Sequence, residues 1–215
     1  MVNDRENTFV NLLKQYTETE STLKHSKPKI DDIRKAGIYD AVTEVYKKLG
    51  GILDLFPCNV GKYDLSFDNH IVELDEEAHF NRYRIVTLDS SIYAQNKFFS
   101  AETYKLYCKD HEDFAIRHRS GGGFWTNSST EKQFGKASKS RDFSRNGSPR
   151  WKQRAFYDFL KDLVPTLYDI PLIRISIYDE FESNDGIRIS VNDILNNADE
   201  ERFNLIYDEM NKRLC

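Results

Sequence analysis

The chain has 215 residues, a net charge of -4, 39% hydrophobic and 13% aromatic residues, enough apolar material to close one sizeable core near the upper size of a single domain. No run of ~18 apolar residues occurs, which argues against a membrane-spanning helix, and the opening MVNDRENTFV is too polar for a signal peptide, so a cytoplasmic protein is expected. Cys58, Cys108 and Cys215 are odd in number and lack CxxC spacing, which suggests neither a disulfide framework nor a zinc site.

In chain order, Phe9, Val10, Leu12, Leu13 and Tyr16 have helical spacing and predict a first helix. After Ser26-Lys27-Pro28 a second helix is expected from near Asp31, with Ile38, Ala41, Val42, Val45, Tyr46 and Leu49 on one face and Gly50-Gly51 as its stop. The period then changes. In KYDLSFD, Tyr63, Leu65 and Phe67 alternate with polar residues, as a half-buried strand requires, and Asp64 falls on the polar face. A turn at Asp68-Asn69 leads into HIVELDE, where Val72 and Leu74 share one face and Ile71, Glu73 and Asp75 the other.

From residue 81 to 147 the pattern loosens into short strand-like pieces such as YRIVTL, the run Gly121 to Gly123 and a Ser/Lys/Arg/Gly-rich stretch; it reads as a loop-rich insertion. Ser148-Pro149 caps and opens a helix whose core face is Ala155, Phe156, Phe159, Leu160 and Leu163, with Arg150, Gln153, Arg154 and Tyr157 on its other face. In IPLIRISIYDE, Ile173, Ile175 and Ile177 alternate with Arg174 and Ser176, which predicts a strand. Two helices close the chain, one after Ser190 and one carrying Phe203, Ile206, Tyr207 and Met210. This order predicts an α/β fold: a mixed central sheet flanked by helices, in one domain over 1–215, with an N-terminal helical part at 1–30 and the insertion at 81–147.

Charge is unevenly placed. Between Ala115 and Arg154 stand ten basic residues, among them Arg117, Arg119, Lys132, Lys136, Arg141, Arg145, Arg150 and Arg154, against the two acidic residues Glu131 and Asp142. With Trp125 and other aromatics interleaved, the segment suits phosphate contacts and stacking on bases, while a solvated loop over packed aromatics is the plain alternative.

Asp64 on one strand and Glu73 and Asp75 on the next can together offer the oxygen ligands that Mg²⁺ or Mn²⁺ prefers; ordinary solvated strand carboxylates are the competing reading. A cation so held would activate a water for attack on a phosphodiester. His79, four residues after Asp75, is placed to donate a proton or hold the leaving phosphate.

The stretch GKYDLSFDNHIVELDEEAH resembles the heart of the PD-(D/E)xK nuclease superfamily, in which an Asp on one hairpin strand precedes, by about ten residues, a Glu-x-Lys triplet. Glu73-Leu74-Asp75 with His79 is similar to the branch that includes the very-short-patch repair endonucleases, and Gln153 to Tyr157 matches a Gln-x-x-x-Tyr helix motif of exonuclease-like members. The likeness covers about a third of the chain. It implies a restriction-endonuclease-like sheet, Mg²⁺-dependent hydrolysis of DNA, Gln153, Arg154 and Lys152 on phosphate, and Glu44 as an additional metal-side oxygen. A homodimer is one assembly it implies, since double-strand cutters often pair. Asp75 stands where most members carry the catalytic Lys; Lys62 and Lys152 are the substitutes the sequence offers. A nuclease-fold protein that binds nucleic acid or assembles without cutting is the rival expectation, and a basic loop that binds an acidic partner protein is a third.

Overall fold

The computed structural model describes residues 4–16, 25–67, 69–183 and 186–214. Of the residues named above, Asp68 and Cys215 lie outside these. The chain is mixed α/β and mostly helical. Its helices are α1 (Asp4–Tyr16), α2 (Ile30–Lys35), α3 (Tyr39–Lys48), α4 (Arg82–Leu88), α5 (Ala101–His118), α6 (Ser128–Phe134), α7 (Pro149–Lys161), α8 (Val164–Tyr168), α9 (Val191–Asn196) and α10 (Glu200–Leu214). Its strands are β1 (Leu65–Ser66), β2 (Ile71–Asp75), β3 (Leu172–Ser176), β4 (Glu180–Glu182) and β5 (Arg188–Ser190).

The central sheet has the order β1-β2-β3. β1 pairs antiparallel with β2, and β2 pairs parallel with β3 in the register Glu73↔Arg174 and Asp75↔Ser176. β4 and β5 form a separate hairpin. Side chains alternate across a strand, so the sheet has two unlike faces. Val72, Leu74, Ile173 and Ile175 point into an apolar cluster with Phe9, Leu12 and Leu13 of α1, Ile194 of α9 and Phe203, Ile206 and Met210 of α10. On the opposite face Glu73 and Arg174 meet α7, and Asp75 binds Arg174.

α7 is the axis of the helical layer, which has an apolar core of its own. Phe156, Phe159, Leu160 and Leu163 pack there with Val42, Val45 and Tyr46 of α3, Leu88 of α4, Tyr104 and Cys108 of α5 and Phe134 of α6. The helix begins where its cap demands: Ser148 Oγ accepts from the Trp151 amide at 3.1 Å and donates to the Trp125 carbonyl at 2.6 Å, with Pro149 in the first turn.

Four expectations change. The long second helix is two helices, because the chain turns at Gly37, whose φ of +71° is in the region glycine favours. YRIVTL is helix α4, started by the Asn81 side chain accepting from the Tyr83 amide at 3.0 Å; a local cap outweighs the β-branched composition. Residues 81–147 are no loose insertion, since α4, α5 and α6 supply Leu88, Tyr104, Cys108 and Phe134 to the core around α7. The strand expected around Asp64 is ordered as a ladder only at Leu65–Ser66, and the face expected to meet water is covered by α7.

Candidate active site

A charged stripe on α7 lies over the polar sheet face. Arg150, Arg154, Asp158 and Lys161 are spaced four, four and three residues apart, hence on one side of the helix. Lys161 reaches Glu73, and Asp158 reaches His79. An ionic layer is thus sandwiched between two apolar cores, and it divides into two parts.

At one end Lys161 Nζ donates to both Glu73 carboxylate oxygens, at 2.8 and 2.7 Å, and to the Lys62 carbonyl at 2.8 Å. Asp64 stands immediately before β1, one step along the ladder from the Leu65↔Val72 pair, and so beside Glu73. Its Oδ2 accepts from the Leu74 amide at 2.9 Å. Glu73 is buried, at 2% exposure, and Asp64 is partly exposed, so the cluster opens toward solvent on the Asp64 side. Burial pushes the Asp64 carboxyl up to about 6 against the pull of Lys161 and the Leu74 amide. Burial, and then the Asp64 charge, push Glu73 up to about 8 despite Lys161 and Arg174. Two carboxylates share one ammonium and remain short of positive charge.

The other end is closed. Arg174 is fully buried; its Nη1 donates to both Asp75 oxygens at 2.7 and 3.0 Å, its Nε to Asp162 at 2.5 Å and its Nη2 to the Asp158 carbonyl at 3.1 Å. Asp162 also accepts from Arg84 at 2.7 Å and from Tyr93 Oη at 2.5 Å. His79 Nδ1 lies 2.8 Å from Asp158 and 3.1 Å from Asp75. Both neighbours are acceptors, so Nδ1 carries the proton. Against the upward push of burial, His79 and Arg174 hold the Asp158 carboxyl well below the usual range.

Several expected site residues do not converge. Asp75 faces the same way as Glu73, but it is bound by Arg174 and His79 and not shared with Asp64. Glu44 is exposed on α3 and pairs with Lys48 at 2.7 Å. Lys62 contributes its backbone carbonyl while its side chain is exposed. Lys152 is buried elsewhere, donating to Asn146 at 2.6 Å, because its helix position points away from the sheet. Gln153 is buried and accepts from Arg150 at 2.5 Å. Among the described residues, no three Asp, Glu, His or Cys side chains converge to hold a metal ion.

In the basic segment Arg117, Lys132, Lys136, Arg141 and Arg145 are exposed, and Arg119, Arg150 and Arg154 are half-buried. Arg141 is also tied to the Ser120 hydroxyl at 3.0 Å and the Arg117 carbonyl at 3.1 Å. Trp125 is no stacking platform: it is 3% exposed, bonded through Nε1 to the Ser138 carbonyl at 2.9 Å and packed edge-on against Trp151.

The residues the sequence reading missed are Lys161, Asp158, Asp162 and Arg174 as a group. Their signal was present as a helix stripe of charges opposite two strands that each carry charges on one face. A separate cavity of about 530 Å³ opens beside Asp162, lined also by Ile38, Ala41, Ile92, Phe98 and Pro165, and reaches none of Asp64, Glu73 or Lys161.

The chain belongs to a family of unknown function (DUF7255), which matches residues 44–197. The match takes in the strand hairpin, the helical layer, α7 and β3, and so the whole ionic layer. No curated protein and no solved structure matched. No described helix is long and apolar enough to cross a membrane.

Proposed function

We propose that the protein is a restriction-endonuclease-like nuclease of the PD-(D/E)xK kind that hydrolyses DNA phosphodiesters with Mg²⁺ or Mn²⁺. The observation that carries this reading is Lys161: an amine from α7 reaches Glu73, beside Asp64, although position 75 on the strand holds no lysine. Asp, Glu and Lys are then all at hand, with the Lys supplied by a different element.

The donors present fit a divalent cation. Lys161 Nζ is already surrounded by three oxygens, two of Glu73 and one of Lys62, and these are the hard donors such ions take. The elevated Asp64 and Glu73 carboxyls mark a site that positive charge would stabilise. Asp64, Glu73 and a backbone carbonyl would hold the ion, which when bound supplies an activated water and neutralises phosphate charge. Lys161 Nζ spends its three donors on these same Glu73 and Lys62 oxygens, so an ion that took them would free the ammonium for the phosphate oxygens. His79, fixed through Nδ1 by Asp158 and Asp75, keeps Nε2 for proton transfer. The exposed Arg and Lys side chains of the basic segment supply salt-dependent contacts to the strand, and a homodimer would suit cutting of both strands.

Plasmid and single-stranded DNA incubated with the protein in Mg²⁺, Mn²⁺ or chelator test this. Metal-dependent cutting should fall by about 10²-fold or more in Glu73→Ala and in Lys161→Met, the loss typical of removing a group that stabilises the transition state. Absence of cutting under every metal, with binding that persists in chelator and in Glu73→Ala, would establish the second reading: a nucleic-acid-binding subunit of the same fold. The observation that favours this rival is the locking of Asp75 by Arg174.

A further inference from the structure

The stripe on α7 continues past the ionic layer to two arginines without acidic partners. Arg150 and Arg154 are one turn apart, and among the described residues no carboxylate lies within ion-pair distance of either. Arg150 spends one Nη on the Gln153 side chain; Arg154 has no hydrogen-bond partner among the described residues. A third guanidinium is brought to the same place by the loop after α5. The Arg119 carbonyl accepts from Trp151 Nε1 at 3.1 Å, which pins that loop to the first turns of α7, and the Arg119 side chain lies only loosely against Glu77, at 3.7 Å. Burial pulls Arg154 below the ordinary arginine value, opposed by the charges of Asp158 and Glu76 and helped by those of Arg150 and Arg119. Most of the nearby acid oxygens are in use: Arg5 holds Glu76 at 3.2 Å and Glu77 Oε1 at 2.6 Å, and Asp158 is bound to His79, which leaves the buried Glu77 Oε2 with Arg119 as its loose ion-pair neighbour.

Partly desolvated guanidiniums that lack acceptors are costly, and three of like charge at one spot repel. An arrangement of this kind is stabilised by an anion with several acceptor oxygens. Two charges are left without carboxylates and one is weakly matched, which suits an anion of charge two better than the single charge of a phosphodiester. Guanidiniums recognise tetrahedral oxyanions through paired N–H donors.

We propose that Arg119, Arg150 and Arg154 form a binding site for a phosphate monoester dianion, one helical turn along α7 from the Asp158–His79 pair. The inference rests on the nuclease reading only for the source of the ligand, a phosphorylated end of a nucleic-acid strand. Its chemistry requires no cutting.

The test is binding of the full chain in chelator to short oligonucleotides with a 5′ phosphate, a 3′ phosphate or hydroxyl ends, together with thermal unfolding in inorganic phosphate. One phosphorylated end should bind about ten-fold or more tighter than the hydroxyl end, the scale of losing a charge-assisted bidentate contact. Arg154→Gln should abolish that preference and the phosphate-induced rise in Tm. Arg150→Gln, on the less buried first turn, should do the same, so that a folding defect in one variant leaves the other informative. Lys35→Gln, at an exposed position on α2 outside the basic segment, should keep both. Stabilisation by inorganic phosphate without any end preference supports the site and assigns it to a free small phosphate. Equal binding of all ends with no effect of phosphate overturns the proposal. An end preference that persists in a protein unable to cut DNA in any metal would sink the nuclease reading and leave this site standing.

Discussion

The two ends of the ionic layer are built on the same strand and covered by the same helix, yet they are balanced differently. Around Arg174, three carboxylates share two guanidiniums and the His79 ring, and the Asp75 and Asp162 oxygens are directly bonded. Around Lys161, two carboxylates share one ammonium, and both are pushed upward. The difference lies in the cation: Arg174 is a planar fork that meets Asp75, Asp162 and a carbonyl at once, whereas Lys161 is a compact charge on a flexible stem. A buried pair in full balance serves as structure, while a pair short of charge is prepared to take up a proton or a cation. One helix thus covers a cluster in balance and a cluster short of positive charge.

Removing the fork should produce the largest effect. Arg174→Leu leaves Asp75 and Asp162 buried without their main partner and should cost about 3–5 kcal/mol, read as a fall in the midpoint of urea unfolding. Lys161→Met should cost less, roughly 1–3 kcal/mol below pH 7, because the Glu73 carboxyl left behind can be protonated. If the two variants unfold at the same midpoint, the contrast between the halves is false.

The pH response sharpens the contrast further. Asp64 and Glu73 have folded-state values of about 6 and 8 against ordinary values of 3.8 and 4.5. Between those limits the folded chain keeps protons that the unfolded chain has released. Their contribution to stability is therefore full below about pH 4 and is lost as pH rises toward 8. In chelator, Glu73→Gln should flatten that decline in a series of melts between pH 5 and 8, with the smallest change from wild type, within about 1 kcal/mol, at the pH 5 end. Saturating Mg²⁺ should stabilise the wild type more at pH 8 than at pH 6, and Glu73→Gln much less at either. A slope unchanged by the substitution would move the proton uptake to another group.

Much of this was legible from residue order. The alternation in HIVELDE separates Glu73 and Asp75 from Val72 and Leu74, and that in LIRISIY separates Arg174 and Ser176 from Ile173 and Ile175; the parallel register then puts the two charged sets on one side of the sheet. Ser148-Pro149 marked the start of α7, and Ala155, Phe156, Phe159, Leu160 and Leu163 its apolar side. What could not be read is which charged faces would be stacked. Strand periodicity marks a polar face without saying what covers it, and here the face is closed by a helix with charges of its own. Lys161 was passed over because a lysine at the end of an amphipathic helix resembles a solvated one. The helices of 81–147 were hidden for another reason: α5 buries few residues along its length, chiefly Tyr104, Cys108 and Ala115, so its apolar stripe is thin. Trp125 looked available among lysines and arginines, and only packing against Trp151 shows otherwise.

The parallel register of β2 with β3 joins segments separated by helices α4 to α8. Such a pairing closes a very long loop, so the chain cannot complete its sheet until residues near 172 have emerged and the intervening helices have collapsed. Until then Asp75 lacks its Arg174 partner. A piece of the protein ending before β3 would therefore contain Glu73 and Asp75 without the strand that carries Arg174, the fork that binds Asp75.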